Sequence, residues 1–267
     1  MVSLTTAGCD APSDESLDGI EFREGETTTF TTPKRTDARD DSPGGGLWIN
    51  NGLSAPSIGG IDPAYPLSTS QGMSETEGVL VDSESRIAAQ YLVECALPSG
   101  SVIEKVVDGE TVELEGQIGL APEWEDGDCD EDCQQWVTAC MLARTNVNAE
   151  TIQLSLRADH PVIGLARVKH YNVYEGSFYG NIFADPDAQF VCAGSQQGAA
   201  LDHLVGRTCS SDPAACGFEL YQDCNQATRC TQQTNGGDAL VSECHADGDA
   251  SPYHTINVYL RASDVSN

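Results

Sequence analysis

The clearest alternation of apolar and polar residues lies near the middle of the chain and predicts a β-hairpin. Residues 102–107 are mostly apolar and precede Asp108 and Gly109, a pair that tolerates the positive φ angles of a type I′ turn. After the turn, apolar and polar residues alternate over residues 112–120. Successive side chains of a strand point to opposite faces, so we expect this strand to be half buried and half exposed.

Helical spacing of apolar residues predicts two α-helices. The first has an apolar face that recurs from Ile87 to Cys95, and Pro98-Ser99-Gly100 ends it. The second extends over about residues 130–144, with Trp136 on its apolar face.

The second helix restricts the disulfides that its cysteines can form. Cys133 and Cys140 lie on one face, separated by ~10.5 Å along the helix axis. A disulfide needs Cα atoms within ~7 Å, so these two cysteines cannot bond to each other. Each must bond to a different element, and Cys95 of the first helix is the candidate partner for one of them.

Shorter apolar segments complete the predicted fold. Strands are expected at residues 151–156, around 162–173, at 190–192 and at 256–260. Residues 47–74 should form an extended segment that packs onto the domain, and residues 193–250 should be loops held by disulfides more than by a core. The fold class is therefore α+β, with a mainly antiparallel β-sheet, two packed helices and a disulfide-rich loop region.

The amino-terminal part of the chain predicts a tether with a lipid site. Small residues precede Cys9 as in the lipobox of bacterial lipoproteins, so residues 1–9 look like the remnant of a lipoprotein signal with Cys9 as the acylated residue. Thr6 stands where that family prefers leucine, and the apolar region of a signal is lacking, so we expect a true start upstream or a trimmed chain. Residues 10–46 are polar and acidic and are predicted to be a disordered tether, with residues 47–267 forming a single disulfide-stapled domain.

The cysteine count supports export. Of eleven cysteines, setting Cys9 aside leaves ten, enough for five disulfides. The ten are Cys95, Cys129, Cys133, Cys140, Cys192, Cys209, Cys216, Cys224, Cys230 and Cys244. Their spacing is unlike the close pairs of a zinc finger or ribbon, which favours disulfides over zinc.

The net negative charge of the chain limits the classes of molecule that it can bind. The chain has 42 acidic and 13 basic residues, a net charge of −29. Such a surface repels nucleic acids and anionic lipid headgroups, but it suits cations, basic partners and neutral sugars. No stretch approaches the ~20 apolar residues that span a bilayer, so membrane contact is expected only through a lipid anchor.

Two residue clusters offer candidate sites, each with a structural alternative. Asp126, Asp128 and Asp130 alternate as calcium ligands do, although no EF-hand follows, and Asp247 and Asp249 would strengthen the site if they folded nearby. The alternative is that the carboxylates stabilise the amino terminus of the second helix without any ion. The second cluster is aromatic and forms either core strands or an exposed platform for sugars or proteins; it comprises Tyr171, Tyr174, Phe178, Tyr179 and Phe183.

Catalytic motifs are lacking in the sequence. None of the five histidines belongs to a two-ligand helical motif, and the segment around Ser195 lacks the glycine spacing of a nucleophile elbow. No catalytic residue is therefore predicted, and no cofactor beyond the calcium alternative.

Two segments of the chain resemble a known group of proteins, and this resemblance implies a cellular location. The segments 133–146 and 175–185 resemble those of cysteine-rich surface lipoproteins of myxobacteria and related predatory bacteria, over about residues 85–265. The resemblance implies a lipid-anchored protein on the outer membrane at the cell surface, and that family has no assigned activity to carry over.

The function predicted from these observations is non-catalytic binding, adhesion or extracellular assembly. The partner would be an extracellular glycan, a protein or a second copy of the chain. One alternative is a secreted hydrolase of extracellular polymers, which a cleft uniting a histidine with two carboxylates would favour. Another alternative is a calcium-dependent adhesin.

Overall fold

A computed structural model describes residues 38–39, 47–83, 85–146, 151–194, 219–224, 229–235, 238–246 and 251–264. The described residues form two α-helices, α1 (Arg86–Ala96) and α2 (Glu131–Arg144). The strands are β1 (Ala38–Arg39), β2 (Leu47–Asn50), β3 (Val102–Val107), β4 (Glu110–Glu115), β5 (Gln153–Arg157), β6 (Tyr171–Asn181), β7 (Ala188–Ala193), β8 (Glu219–Asp223), β9 (Thr231–Asn235), β10 (Asp238–Ser242) and β11 (Thr255–Arg261).

Seven of the strands form one sheet in the order β1-β2-β5-β11-β6-β7-β8. Its pairs are antiparallel except β7 with β8, which is parallel. Two hairpins, β3–β4 and β9–β10, form separate two-stranded sheets. The predicted α+β class with a mainly antiparallel sheet and two helices is confirmed.

Both faces of the central sheet are covered, because alternate residues of its strands enter two different clusters. Phe178 and Val258 join the cluster that contains α1 and α2. Tyr179 and Tyr259, their neighbours in sequence, join a second cluster with the cysteines near the β9–β10 hairpin. The sheet therefore lies between a helical layer and a disulfide-bonded layer.

The β3–β4 hairpin has the predicted turn and exposure. Asp108 and Gly109 have φ angles of 53° and 85°, both positive as a type I′ turn requires. On β4, Val112 and Leu114 are buried while Glu115 is exposed. The half-buried strand is confirmed, although it ends at Glu115 and does not continue to residue 120.

The disulfides of α2 follow the geometric argument. Cys140 bonds to Cys95 of α1, with 6.0 Å between their Cα atoms. Cys133 bonds to Cys129, which precedes the helix. The predicted pairing of Cys95 with an α2 cysteine is confirmed, and the bond joins the two helices of one layer.

Two predictions for the second half of the chain are wrong. Residues 193–250 were expected to be loops, yet β8, β9 and β10 lie within them. The strand expected around residues 162–173 begins only at Tyr171, because residues 162–170 consist of turns and irregular backbone and His170 has a left-handed φ of 77°.

Polar side chains hold the β9–β10 hairpin onto the sheet where apolar periodicity is weak. The Asn257 Oδ1 atom on β11 accepts a hydrogen bond from the Val241 amide at 2.9 Å. The Asn257 Nδ2 group donates to the Val241 carbonyl at 2.9 Å and to the Arg157 carbonyl at 3.1 Å. One buried amide thus joins the hairpin, β11 and β5.

Several predictions of the sequence fall partly or wholly outside the described residues. Cys9, Cys209, Cys216, Asp247 and Asp249 all lie outside them. Of the expected tether, Ala38–Arg39 forms β1 and pairs with β2, and its other residues lie outside the described part. The expected extended segment from residue 47 begins with β2, and its Leu47, Leu53 and Met73 enter the core.

Candidate binding cleft

A cleft of about 450 Å³ opens where α2, β11 and the β9–β10 hairpin meet, and we call it the histidine cleft. It is lined by Asp132, Trp136, Asp159, His160, Pro161, Thr231, Gln233, Ser242, Glu243, His254 and Thr255. Helical periodicity places Asp132 and Trp136, one turn apart, on the same side of α2. His254 immediately precedes β11, and His160 lies in the connection between β5 and β6.

Two histidines pack against one indole ring inside the cleft. The His254 ring stacks on Trp136 with centroids 4.4 Å apart and an interplanar angle of 9°. The His160 ring meets the same indole edge-on at 4.8 Å. Trp136 is consequently only 6% exposed, so the imidazoles, and not the indole, face an incoming ligand.

His254 is held in place from two sides. Its Nε2 atom contacts the Asp132 Oδ1 atom, and its backbone amide donates to the Gln135 Oε1 atom at 3.0 Å. The His254 side chain is 34% exposed and that of Asp132 is 67% exposed, so the pair is accessible from solvent. A carboxylate in this position fixes the orientation of the imidazole ring.

His160 is held in its neutral form. Burial lowers the pKa of His160, and His254 nearby lowers it further, whereas Asp132 and Glu123 act in the raising direction. Its Nδ1 atom accepts a hydrogen bond from the Val162 amide at 3.2 Å. The neutral ring therefore carries its proton on Nε2.

The rest of the lining is acidic and hydroxylic. Asp159 and Glu243 are exposed at the cleft, and no lysine or arginine of the described residues lines it. The Thr231 hydroxyl donates to the Glu243 Oε2 atom at 3.4 Å. Glu243 has a φ of 51°, a left-handed conformation that non-glycine residues seldom adopt. Three carboxylates thus surround the two imidazoles.

The calcium alternative receives no support from the aspartates predicted for it. Asp126, Asp128 and Asp130 are exposed, and they do not form a trio of closely spaced ligands within the described residues. The Asp130 Oδ1 atom accepts a hydrogen bond from the Cys133 amide at 3.1 Å and so caps α2. The helix-terminus alternative therefore accounts for Asp130.

Three cysteines that are far apart in sequence lie close together in the structure. The Sγ atoms of Cys192, Cys230 and Cys244 lie within 4.8 Å of one another and could hold a metal ion as thiolates. Here Cys192 bonds to Cys224 and Cys230 bonds to Cys244. Because the thiolate is the metal ligand, the disulfides and a metal at this place exclude each other.

The aromatic cluster of β6 belongs to the core. Tyr171, Tyr174, Phe178 and Tyr179 are all at most 2% exposed, and Phe183 is partly buried against the helical layer. The core alternative for this cluster is therefore confirmed, and an exposed platform made of these rings is wrong.

The histidine cleft could not be found from local sequence motifs. His160 and His254 are supplied by separate elements, and Asp132 by a third, so only the fold brings them together. The one local signal is the acidic run at the amino terminus of α2, to which Asp132 belongs and for which the sequence offers a helix-terminus explanation.

Comparison with known proteins adds no relative. No family model, no curated protein and no solved structure matches the chain. Among the described residues, no helix is both long and apolar enough to cross a membrane. The disulfides are consistent with an extracellular or secreted protein.

Proposed function

We propose that this chain is an exported binding domain without a catalytic role, and that its histidine cleft receives a cationic group of an extracellular partner. The observation that carries the proposal is the lining of the cleft: Asp132, Asp159 and Glu243 contribute three carboxylates without a lysine or arginine among the described lining residues. Burial keeps His160 neutral at pH 7, so it does not cancel that negative charge.

The long-range charge of the protein supports the same class of partner. A net charge of −29 attracts a basic ligand to the whole surface, and a concave site with low-dielectric walls concentrates that field. The His254 ring, stacked on the buried indole of Trp136, gives the site a rigid wall. A lysine ammonium or arginine guanidinium of the partner would donate to the carboxylates around it.

The test must separate binding in the cleft from attraction to an acidic surface. We would titrate the protein with a tri-lysine peptide by calorimetry, comparing two variants that each remove two negative charges. One carries Asp159→Asn and Glu243→Gln in the cleft. The other carries Glu104→Gln and Glu113→Gln on the β3–β4 hairpin, where these residues face each other.

The cleft variant should weaken binding about ten-fold, which corresponds to about 1.4 kcal/mol, because its carboxylates would touch the ligand. The hairpin variant should change affinity less than about two-fold, since charges beyond the ~8 Å Debye length are screened at physiological salt. Equal weakening by both variants would show only non-specific attraction and would overturn the proposal.

The same proposal places the protein at the cell surface through a lipid on Cys9. Four disulfides among the described residues and the resemblance to surface lipoproteins support export. We would measure the intact mass of the protein isolated from membranes, with and without reductant, beside a Cys9→Ser variant. Acylation that the variant loses, together with oxidised cysteines, supports this location; an unacylated chain with free thiols contradicts it.

A hydrolase is the second candidate, and one observation favours it. The cleft unites His254 with Asp132 in the arrangement by which a carboxylate orients a general base, and Asp159 and Glu243 lie in the same cleft. A nucleophile of the chain itself is not in place, because no hydroxyl of the described residues donates to either imidazole. Such an enzyme would have His254 activate a water molecule.

The two candidates separate in an assay with chromogenic esters, phosphomonoesters and glycosides. The hydrolase would be established if His254→Gln and Asp132→Asn abolish hydrolysis. The control Glu131→Gln, on the same helix turn, should retain it. Equal turnover in the wild-type protein and His254→Gln would exclude His254 as the base and leave the binding role.

A further inference from the structure

A second concave site lies at the opposite end of β11 from the histidine cleft, and we call it the basic groove. It has a volume of about 600 Å³ and is lined by Lys169, His170, Asn172, Arg261, Ala262 and Ser263. Thr255 begins β11 beside the histidine cleft and Arg261 ends it, which separates the two sites by ~20 Å at ~3.3 Å per residue. The groove therefore shares no lining residue with the proposed cleft.

The groove concentrates exposed positive charge on a strongly acidic protein. Lys169 and His170 are exposed, whereas Lys105, Arg144 and Arg157 are buried elsewhere. Within the described ranges, no carboxylate lies within 4.0 Å of the side-chain nitrogens of Lys169, His170 or Arg261. The cations Lys169 and Arg261 therefore have no carboxylate partner among the described residues, on a chain whose acidic residues outnumber its basic ones by 42 to 13.

Arg261 is fixed before any ligand arrives. Its Nη2 group donates to the Gln153 Oε1 atom at 2.6 Å, and its Cζ atom lies 4.7 Å from the centre of the Tyr171 ring. A guanidinium has five N–H donors in a planar fork, so donors beyond the Gln153 bond remain for a ligand. A side chain ordered in this way loses little conformational entropy on binding.

The backbone on the other side of the groove is also unusual. His170 has a φ of 77°, in the left-handed region that costs a non-glycine residue of the order of 1–3 kcal/mol. This conformation directs the chain into β6 with Lys169 and His170 on the groove. The nearest acidic side chain of the groove segment, Asp264, accepts a hydrogen bond from the Ser263 hydroxyl at 3.1 Å.

We propose that the basic groove binds an oxyanion: a phosphate, sulfate or carboxylate group. The Arg261 fork matches two oxygens of such a group, and Lys169 supplies a mobile point charge. Asn172 and Ser263, the neutral polar residues of the lining, add no negative charge that would repel such a group. The oxyanion is either a free ion or a group carried by an acidic polymer.

The experiment titrates the full chain with inorganic phosphate by two-dimensional NMR, keeping ionic strength constant with sodium chloride. A second titration uses heparin, whose sulfates are carried on a polysaccharide. Both are repeated with Lys169→Gln/His170→Gln, which leaves the packed Arg261 in place. The control is Ser99→Asp, which makes the net charge more negative in the exposed turn after α1, away from the groove.

Saturable phosphate binding that weakens at least about five-fold in the double variant, but less than two-fold in the control, supports a free-ion site. Heparin binding with the same variant pattern and no phosphate binding supports a polymer-borne oxyanion. Absence of both, or equal affinity in the wild-type protein and the double variant, overturns the proposal. The tri-lysine titration is independent of these outcomes, since it probes the cleft at the other end of β11.

Discussion

Glu94 of α1 and Arg144 of α2 form an ion pair inside the helical layer, with the carboxylate against the Arg144 Nη2 group. The Arg144 side chain is fully buried and that of Glu94 is 6% exposed. The pair is further enclosed, because the guanidinium lies 4.1 Å from the centre of the Tyr91 ring and its Nε group donates to the Asn50 carbonyl at 3.1 Å. A buried charge of this kind depends on its partner for compensation.

Neutralising Glu94 should therefore destabilise the fold severely. We expect Glu94→Gln to lower the free energy of unfolding by about 3–5 kcal/mol, because the Arg144 charge would remain buried without its counterion. The control is Glu110→Gln, which removes the same charge from a longer pair, 3.8 Å, with the nearly buried Arg86. The Glu110 side chain is 52% exposed and the Arg86 Nε group donates to the Leu80 carbonyl, so this change should cost less than about 1 kcal/mol. Denaturant unfolding measures both. Equal effects would mean that other groups compensate Arg144.

The two disulfides of α2 should contribute unequally to stability. Cys95–Cys140 closes a loop with a sequence separation of 45, and Cys129–Cys133 one with a separation of 4. Chain-entropy estimates give about 4 kcal/mol for the long loop and about 2 kcal/mol for the short one. Replacing each pair with alanines and comparing thermal unfolding tests this order. If the short-loop variant were the less stable, loop closure would not be the main contribution.

Asn257 should make a large contribution to the stability of the disulfide-bonded layer. Asn257→Ala leaves the Val241 amide and two carbonyls without their side-chain partner in a buried place, and we expect a loss of about 2–4 kcal/mol. Hydrogen exchange at the Val241 amide should accelerate more than the global loss alone explains. Asn50→Ala, at a half-buried position of β2, is the control and should leave that exchange unchanged.

Stability should fall as the pH falls through the range in which histidine titrates. Burial holds the pKa of His160 below its ordinary value of 6.5 in the folded protein, so the unfolded chain binds the proton first. The contribution of His160 is then complete above about pH 6.5 and is lost progressively below it. We expect the pH dependence of unfolding between pH 7 and 5.5 to become shallower in His160→Gln. An NMR titration of His160 with a midpoint at or above 6.5 would contradict this expectation.

Prediction from sequence succeeded where a few neighbouring residues determine the structure. Asp108-Gly109 determines a turn by its own backbone preferences, and the distance between Cys133 and Cys140 along a helix excludes a bond whatever the rest of the fold is. It failed for β9 and β10, because Thr231–Asn235 has no apolar alternation to detect. The β9 strand pairs with β10, the Cys230–Cys244 disulfide closes the hairpin that they form, and Asn257, which is distant in sequence from β9, holds β10 on the sheet.

The two candidate sites could not be predicted either, because they also depend on residues that are distant in sequence. The histidine cleft takes residues from α2, from the connection before β6 and from the start of β11, and each residue alone has an ordinary structural explanation. The basic groove depends on a fold that brings the segment of Lys169 to the end of β11. The lining residues of neither site form a motif of fixed spacing in the sequence, because only tertiary contacts bring them together.

The positions of the described disulfides also determine how this domain would respond to a pulling force. Strands β2, β5, β6 and β11 lie outside every loop that these four bonds close, whereas most of α2 and all of the β9–β10 hairpin lie inside them. Tension applied from the amino-terminal side would peel β1 and β2 from the edge of the sheet before it reached a covalent stop. Single-molecule extension should therefore stay short of the full contour length until a reductant opens the loops, so that a stretched domain keeps its crosslinked parts as templates for refolding.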